Sequence, residues 1–310
     1  MSDLLSQSRL ETGVPIETTI VTRDGTRLCV RQHGSDNAPQ TVVLLHGLCL
    51  DKDSWSSLAS ELSRRHDDAR VISYDHRGHG KSGSSSMRSY RIETLATDLA
   101  DVLIAKKVSS PLTLVGHSMG GFTILSYLGM FEAERPVDPE AIVLVATAAG
   151  KVSERGLGRL LLTPAVDAFC ALVGHVPNRI ADVLARAMAA PVCKVMLAQI
   201  GYGVNYDAAL AAVAAGSIND TKLATKAGFL AAIHDYNCYS VLPFVTARTA
   251  IISGGKDLLT PKIHSDEMAS LIAGALHSHH ADAGHMIMHE APESVLESIE
   301  QSISVTKVSA

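Results

Sequence analysis

A serine flanked by glycines stands between two apolar runs of the chain. The segment from Gly116 to Gly120 reads Gly-His-Ser-Met-Gly, with Pro111 to Val115 before it and Phe122 to Leu128 after it. A sharp turn can lift such a serine clear of a sheet, provided that the residues two positions away lack bulky side chains. The turn leaves the N–H of Met119 at a helix start, where developing negative charge is stabilised. The pattern predicts a nucleophilic Ser118 in a nucleophile elbow.

A serine hydroxyl is a poor nucleophile at neutral pH unless a base lies within reach and a third group orients that base. On a sheet of strands that alternate with helices, the acid and then the histidine follow the serine, each in a loop after a strand. Asp257 directly follows a predicted strand, and His285 lies between the last predicted strand and the last predicted helix. This order predicts Asp257 as the orienting acid and His285 as the base.

Other residues compete for these two roles. Asp282 is a rival acid, but it shares the loop of His285, whereas orienting a ring from its far side calls for a separate loop. The rival bases are three histidines that fall on a predicted strand, where alternate residues face the surface and the core. These rival histidines are His277, His279 and His280.

A metal site is an alternative use of the same region. His285 and His289 are one helical turn apart and Glu290 is adjacent, with the three rival histidines close in sequence. The H-E-x-x-H spacing of zinc enzymes is absent, and a metal here would consume the base that Ser118 needs. We therefore expect no metal and no cofactor.

Short apolar runs alternate with helical patterns along the chain. An Asp-Gly pair between two β-rich runs at the front predicts a hairpin. The later runs are suited to strands buried on both faces, so we expect an α/β fold: a mostly parallel eight-stranded sheet flanked by helices. Function is expected at the carboxyl ends of its strands. The predicted strands are Ile16 to Thr22, Thr26 to His33, Thr41 to Leu45, Val71 to Tyr74, Pro111 to Val115, Ala141 to Ala146, Thr249 to Ser253 and Ala275 to His280. The predicted helices are Asp53 to Arg65 with Asp53 as N-cap, Ile92 to Lys107, the helix of the elbow, Pro261 to Ile272 and Pro292 to Val305.

The rhythm changes after residue 150. Residues 151–247 are rich in Ala, Leu and Val and hold helical patches without a buried-strand pattern. The sequence predicts a core domain of residues 1–150 and 248–310, interrupted by a helical cap at 151–247. Apolar side chains in the cap favour a lipophilic substrate of modest size, although each of them can instead pack the cap helices together. His46 and His117 can be structural residues beside the site instead of binding residues. The candidate substrate-binding residues are His46, His117, Leu161, Phe169, Met196 and Tyr206.

Composition excludes several other classes of function. Of the 310 residues, 46% are hydrophobic and 19% charged, which fits a compact globular chain. The net charge is −5 without a basic stripe, so a nucleic-acid partner is not expected. The five cysteines are far apart in sequence and fit reduced thiols, and the chain starts without a basic and then apolar leader, so we expect a cytoplasmic protein. No run approaches the roughly 20 apolar residues that span a bilayer, so we expect no transmembrane segment.

With these motifs in place, the chain resembles the α/β-hydrolase superfamily of serine hydrolases with a helical cap, over about Pro15 to Ile303. Asp75 to Ser82 is similar to the D-x-R-G-x-G-x-S loop common in that superfamily. The Gly-Lys-Asp-Leu-Leu-Thr-Pro segment from Gly255 is similar to its acid turn. The features that agree in order are His46-Gly47, Ser118, Asp257 and His285.

The resemblance implies Ser118 as nucleophile, His285 as base and Asp257 as orienting acid. It adds the backbone N–H of Leu48 to that of Met119 as oxyanion donors, each worth roughly 3 to 4 kcal/mol of transition-state stabilisation. The implied function is hydrolysis of a carboxylic ester of a lipophilic small molecule through an acyl-enzyme. Carbon-carbon bond hydrolysis, cofactor-free perhydrolase or haloperoxidase chemistry, and a non-catalytic receptor remain open alternatives. Relatives with aspartate at the elbow are disfavoured because this chain has serine there.

Overall fold

The computed structural model describes residues 14–162, 202–203 and 208–308. An eight-stranded sheet crosses the molecule, and each of its strands lies where the sequence predicts one. The strands are β1 Ile16–Val21, β2 Arg27–His33, β3 Gln40–Leu45, β4 Ala69–Tyr74, β5 Leu112–His117, β6 Ala141–Val145, β7 Arg248–Gly254 and β8 Leu276–His280. The α-helices within these described ranges are α1 Ser56–Arg65, α2 Ile92–Ala105, α3 Met119–Leu128, α4 Ala208–Asp220, α5 Leu223–His234, α6 Lys262–Leu271, α7 Ile287–Glu290 and α8 Pro292–Val308.

The strand order is β1-β2-β4-β3-β5-β6-β7-β8. β3 pairs in parallel with β4 and β5, and the parallel pairing continues through β6 and β7 to β8. β2 runs antiparallel to both β1 and β4, with Gly25 at φ +86° in the hairpin turn. Because the parallel strands point the same way, the loops after β3, β5, β7 and β8 lie at one edge, which is where the sequence places the site residues.

Helices cover both faces of the sheet. All residues of β3, β4, β5 and β6 are buried, which explains why these strands read as continuous apolar runs. On one face, side chains of α2, α3 and α6 pack against the strands. On the other face, α1 and α8 supply the packing side chains. The predicted α/β architecture is therefore confirmed.

Two local predictions are wrong. Asp53 does not cap the first helix: the side chain of Asp51 accepts a hydrogen bond from the N–H of Asp53, and a 3-10 helix, Lys52–Trp55, precedes α1. β8 does not alternate between core and surface, because it pairs with β7 at the edge of the sheet and every residue of it is at least partly exposed. An edge strand has a neighbour on one side only, so its burial follows its position rather than its pattern.

The chain between β6 and β7, residues 151–247, is called the inserted segment below. In its described parts the elements are 3-10 turns and helices, among them α4 and α5, together with one isolated bridge between Gly150 and Asn237. Several hydrogen bonds fasten it to the rest of the chain, among them Leu157 N–H to the Leu258 carbonyl (2.8 Å) and Ser217 Oγ to Asp51 Oδ2 (2.7 Å). Its description as a separate cap domain stays a prediction.

Candidate active site

Ser118 lies between the last residue of β5 and the first residue of α3, with φ +51° and ψ −116°. A Cβ on Gly116 would lie 2.5 Å from the backbone of Gly120, and one on Gly120 would overlap the carbonyl oxygen of Leu45. Only glycine fits at these two positions, and a serine at positive φ is strained. The chain forms the sharp strand-to-helix turn that its sequence predicts.

Four hydrogen bonds fix the backbone of Ser118. Its N–H donates to the Val145 carbonyl (2.9 Å), and its own carbonyl accepts from the Thr147 hydroxyl and the Gly121 N–H (2.8 Å each) and from the Phe122 N–H (3.2 Å). The Ser118 side chain is half-buried, and its hydroxyl makes no hydrogen bond with any described residue, His285 included. The strained conformation is therefore held through the Ser118 backbone groups and not through its hydroxyl.

Asp257 and His285 are in direct contact. Asp257 Oδ2 lies 2.8 Å from His285 Nδ1, and both residues are buried. A carboxylate only accepts, so Nδ1 carries the proton and Nε2 keeps its lone pair. Asp282, the rival acid, is exposed on the turn before His285. The structure thus brings together the acid and the histidine that the sequence selects.

Both carboxylate oxygens of Asp257 accept hydrogen bonds. Its Oδ1 accepts the backbone N–H groups of Leu259 (2.8 Å) and Thr260 (2.9 Å), and its Oδ2 accepts the Thr260 hydroxyl (2.6 Å). Burial by itself raises the pKa of Asp257, but the electrostatic interaction with the His285 imidazole and these hydrogen bonds outweigh it and lower the pKa. The acid is therefore ionised and rigidly oriented toward the imidazole.

His117 connects the His285 loop to the turn at Ser118. Its Nε2 lies 2.9 Å from the carbonyl oxygen of His285, and the two ring centroids are 4.9 Å apart. Burial, followed by the charge on His285, holds the pKa of His117 well below its usual value, so the ring is neutral. His117, the residue before Ser118, thus links the serine turn to the loop that carries His285.

Two backbone N–H groups flank the serine, those of Leu48 and Met119. A Cβ on Gly47 would lie 3.2 Å from Ser118 Cβ and 2.7 Å from His117 Nδ1, so the turn that carries Leu48 packs directly on the serine. Neither N–H has an acceptor within the described part of the chain.

Two buried histidines hold the Leu48 turn. His46 donates from Nδ1 to the Gly47 carbonyl (2.8 Å), and its Nε2 accepts the His76 N–H (2.9 Å). His79 accepts the Cys49 N–H at Nε2 (3.1 Å). Burial lowers the pKa of His46 to about 4 and that of His79 to about 3, so both rings are neutral. These contacts give His46 and His79 supporting positions behind the turn.

The other predicted substrate-binding residues belong to the inserted segment. Leu161 lies in the 3-10 helix Gly156–Leu162. Its side chain, together with Phe169, Met196 and Tyr206, falls outside the described residues.

An apolar cluster extends from the elbow toward the inserted segment. Phe122 of α3 stacks on Tyr236 with ring centroids 4.6 Å apart, and the Tyr236 hydroxyl donates to the Phe122 carbonyl (3.3 Å). An open cleft of about 760 Å³, lined in part by Tyr90 and Tyr236, lies between residues 86–93 and the inserted segment. The cluster contains Leu48, Tyr90, Met119, Phe122, Phe229 and Tyr236.

Sequence reasoning missed Thr260 and His79. Thr260 was detectable, because a threonine three residues after an aspartate in a turn is a common partner for that carboxylate. His79 was not, because its contact with the Cys49 N–H joins residues 30 positions apart. A backbone contact of that kind leaves no local pattern.

The described residues hold no group of three or more His, Cys, Asp or Glu side chains arranged to bind a metal ion. Among these same residues, no helix is long and apolar enough to cross a membrane.

Comparisons with known proteins agree with this fold. The sequence profile of the alpha/beta hydrolase fold matches residues 40–292. Two similar proteins are 3-oxoadipate enol-lactonase 1 of Acinetobacter baylyi (32% identical over 133 residues, 43% of this chain and 46% of the relative) and non-heme chloroperoxidase CPO-A1 of Kitasatospora aureofaciens (36% over 118 residues, 37% and 38%). The chain thus spans about half, or less, of the length of these curated relatives.

A solved esterase from Exiguobacterium antarcticum superimposes with a TM-score of 0.75 at 22% identity, covering 93% of this chain and all of that one. Similarity at this level of identity reports on the fold. The profile, however, matches far more than half of the sequence. The chain therefore belongs to the alpha/beta hydrolase fold family.

Proposed function

We propose that the protein is a serine hydrolase that cleaves a carboxylic ester of a lipophilic small molecule, with Ser118, His285 and Asp257 as catalytic residues. The contact between Asp257 Oδ2 and His285 Nδ1 carries this proposal. It fixes the tautomer in which Nε2 can accept a proton, in a loop that His117 holds against the serine turn. Hydrogen bonds between nucleophile and base are often long before substrate binds, so the unbonded Ser118 hydroxyl is compatible with it.

The first half-reaction forms an acyl-enzyme. His285 Nε2 takes the proton of the Ser118 hydroxyl while the oxygen attacks the ester carbonyl carbon. The carbonyl oxygen becomes an anion and accepts the N–H groups of Leu48 and Met119. As the tetrahedral intermediate collapses, the imidazolium returns the proton to the leaving alcohol. Asp257 stabilises the imidazolium without taking up a proton itself.

The second half-reaction releases the acid. A water molecule gives a proton to His285 Nε2 and attacks the acyl carbon, and the same two N–H groups hold the oxyanion. Collapse breaks the bond to Ser118 Oγ, which recovers its proton from the imidazolium. The cycle returns the enzyme to its starting state and needs no cofactor.

Two observations support a lipophilic ester as the substrate. The apolar cluster of Leu48, Met119 and Phe122 adjoins both proposed oxyanion donors, and it favours substrates with apolar groups next to the scissile carbonyl. The enol-lactonase relative is named for action on a lactone, which is a cyclic ester. Hydrolysis of a lactone follows the same steps, with acid and alcohol joined in one product.

Perhydrolysis is a second candidate, supported by the chloroperoxidase relative. Hydrogen peroxide would replace water in the second half-reaction, so that the acyl group leaves as a peroxycarboxylic acid and Ser118 regains its proton. Incubation with an ester and hydrogen peroxide tests this candidate. Peracid formation faster than acid formation would favour it over simple hydrolysis.

Replacement of the nucleophile tests the central proposal. Ser118→Ala should abolish turnover of short p-nitrophenyl esters and labelling by a fluorophosphonate while the circular dichroism spectrum stays unchanged. Ser126→Ala, which removes a serine further along the same helix, is the matched control and should retain both. Turnover by Ser118→Ala at the wild-type rate would refute the assignment.

A further inference from the structure

Glu290 has contacts that the proposed mechanism does not use. It is the last residue of α7, five positions after His285, and it is half-buried. Its Oε1 accepts the N–H of Gly284 (2.9 Å), and its Oε2 accepts the N–H of Gly203 (2.6 Å). One carboxylate therefore joins the residue before His285 to the inserted segment.

Only a carboxylate satisfies both donors. The two oxygens of an ionised glutamate accept and never donate, whereas a glutamine would set its NH₂ group against one of the two N–H groups. Burial raises the pKa of Glu290, and hydrogen bonds from Gly203 and Gly284 partly offset that effect. The position thus keeps a partly buried charge that packing alone does not require.

The close contact between the inserted segment and the His285 loop depends on glycine at position 203. A Cβ there would overlap the carbonyl oxygen of Asp282 and would lie 2.8 Å from Glu290 Oε2 and 2.9 Å from the Gly284 nitrogen. Any larger residue must therefore move away from the His285 loop.

A second contact fastens the same place. The Tyr202 hydroxyl lies 3.0 Å from His289 Nδ1, and His289 Nε2 donates to the carbonyl of Ser54 (3.1 Å). Because His289 then accepts at Nδ1, the tyrosine is the donor. Two successive residues of α7, His289 and Glu290, thus hold two successive residues of the inserted segment.

We propose that Glu290 is a positioning residue that couples the seating of the inserted segment at Tyr202–Gly203 to the placement of the His285 imidazole. The proposal rests on the proposed function, in which His285 is the base. Glu290 accepts from the N–H of Gly284, the residue before His285, and His117 donates to the carbonyl of His285 itself. Without the Gly203 N–H, Glu290 would keep one donor, the Gly284 N–H, and the His285 loop would lose its link to Tyr202–Gly203.

The test is a double-mutant cycle on kcat, with p-nitrophenyl acetate as a substrate too small to depend on the inserted segment for binding. Glu290→Gln and Gly203→Ala should each lower kcat by about 10- to 100-fold with little change in KM, because a small misplacement of a reacting group has effects of that size. The double variant should lose no more than the worse single variant, because both changes break one contact. Glu293→Gln, which alters an exposed glutamate on the next helix, is the matched control and should keep wild-type kcat.

Folding is followed separately, by thermal unfolding and by fluorophosphonate titration of active sites, so that kcat refers to folded enzyme. If Gly203→Ala does not fold, Tyr202→Phe replaces it in the cycle, since it removes the neighbouring contact with His289. Wild-type kcat in the two single variants, or losses that multiply in the double variant, would overturn the coupling. If Ser118→Ala keeps its activity, both the proposed function and the coupling are wrong. If Ser118→Ala is inactive but Glu290→Gln is fully active, only the coupling is wrong.

Discussion

The imidazole of His117 donates a hydrogen bond from Nε2 to the backbone carbonyl of His285 across 2.9 Å. The residue that precedes the proposed nucleophile therefore holds the backbone of the proposed base. The two residues are 168 positions apart in sequence and come from the ends of β5 and the loop after β8. This contact joins the loop of the proposed base to the strand that ends beside the proposed nucleophile.

Removal of the His117 donor should therefore slow catalysis as well as weaken the fold. His117→Leu leaves a buried carbonyl without its donor, at a cost of about 1–3 kcal/mol in the free energy of unfolding. It should also lower kcat by about 10- to 100-fold by loosening His285. In His117→Gln the amide nitrogen can take the place of Nε2, so most of both losses should be recovered. Kinetics with p-nitrophenyl butyrate and urea unfolding measure the two effects; full activity in the leucine variant would contradict the positioning role.

Asp257 and Asp282 offer a direct comparison between a buried and an exposed carboxylate on either side of His285. Asp257→Asn should lower kcat by about 10⁴-fold, because an amide can present its NH₂ group to Nδ1 and favour the wrong tautomer. Asp282→Asn should leave kcat within about twofold, since that side chain is exposed. Both rates are measured with the same ester at saturating concentration. A crippled Asp282→Asn beside an active Asp257→Asn would exchange the two assignments.

The sheet was predictable because strands that are buried on both faces consist of uninterrupted apolar runs, which can be recognised in the sequence. The predicted third strand begins at Thr41, and β3 begins one residue earlier, at Gln40. The cap of the first helix was harder, because Asp51 and Asp53 have the same chemistry and only their place in the turn separates them. The exposure of β8 was unpredictable, since it depends on which strands lie beside it in the sheet.

The candidate site also contains residues that a local sequence pattern indicates and residues that no local pattern indicates. Ser118, Asp257 and His285 could be proposed from the sequence because each stands in a loop after a predicted strand, which is a local signal. His79 and Glu290 act on backbone N–H groups of residues distant in sequence, Cys49 for the first and Gly203 for the second. Any residue other than proline can supply a backbone N–H, so such partners carry no pattern that a sequence reader can recognise.

Five buried histidines should make the fold sensitive to mild acid. Burial lowers the pKa of His46 to about 4, of His79 to about 3 and of His264 to about 4. Burial also holds the pKa values of His76 and His117 well below the usual range. In the unfolded chain each imidazole titrates near its ordinary value of about 6.5. Below that pH the unfolded chain binds protons that the folded chain does not, so folding stability falls as the pH falls.

Each such histidine should lower the free energy of unfolding by about 1.4 kcal/mol per pH unit between roughly pH 6 and pH 4. Urea unfolding at several pH values in this window measures the slope. His264→Gln should reduce the slope by one proton. A slope that is the same in wild type and His264→Gln would show that His264 does not contribute.

Two glycines in helices should respond in opposite ways to the same substitution. Gly120 lies in α3, where a Cβ would overlap the carbonyl oxygen of Leu45, an atom fixed in the centre of the sheet. Gly120→Ala should therefore lower the free energy of unfolding by about 1–3 kcal/mol or more, and it should lower kcat because the Ser118 turn has to shift. Gly216 lies in α4, where a Cβ would meet no described atom within 4 Å. Gly216→Ala should therefore raise the free energy of unfolding by about 0.5–1 kcal/mol through the reduced entropy of the unfolded chain. Urea unfolding and kcat of both variants test this; an alanine tolerated equally at both sites would mean that the elbow does not need its close approach to β3.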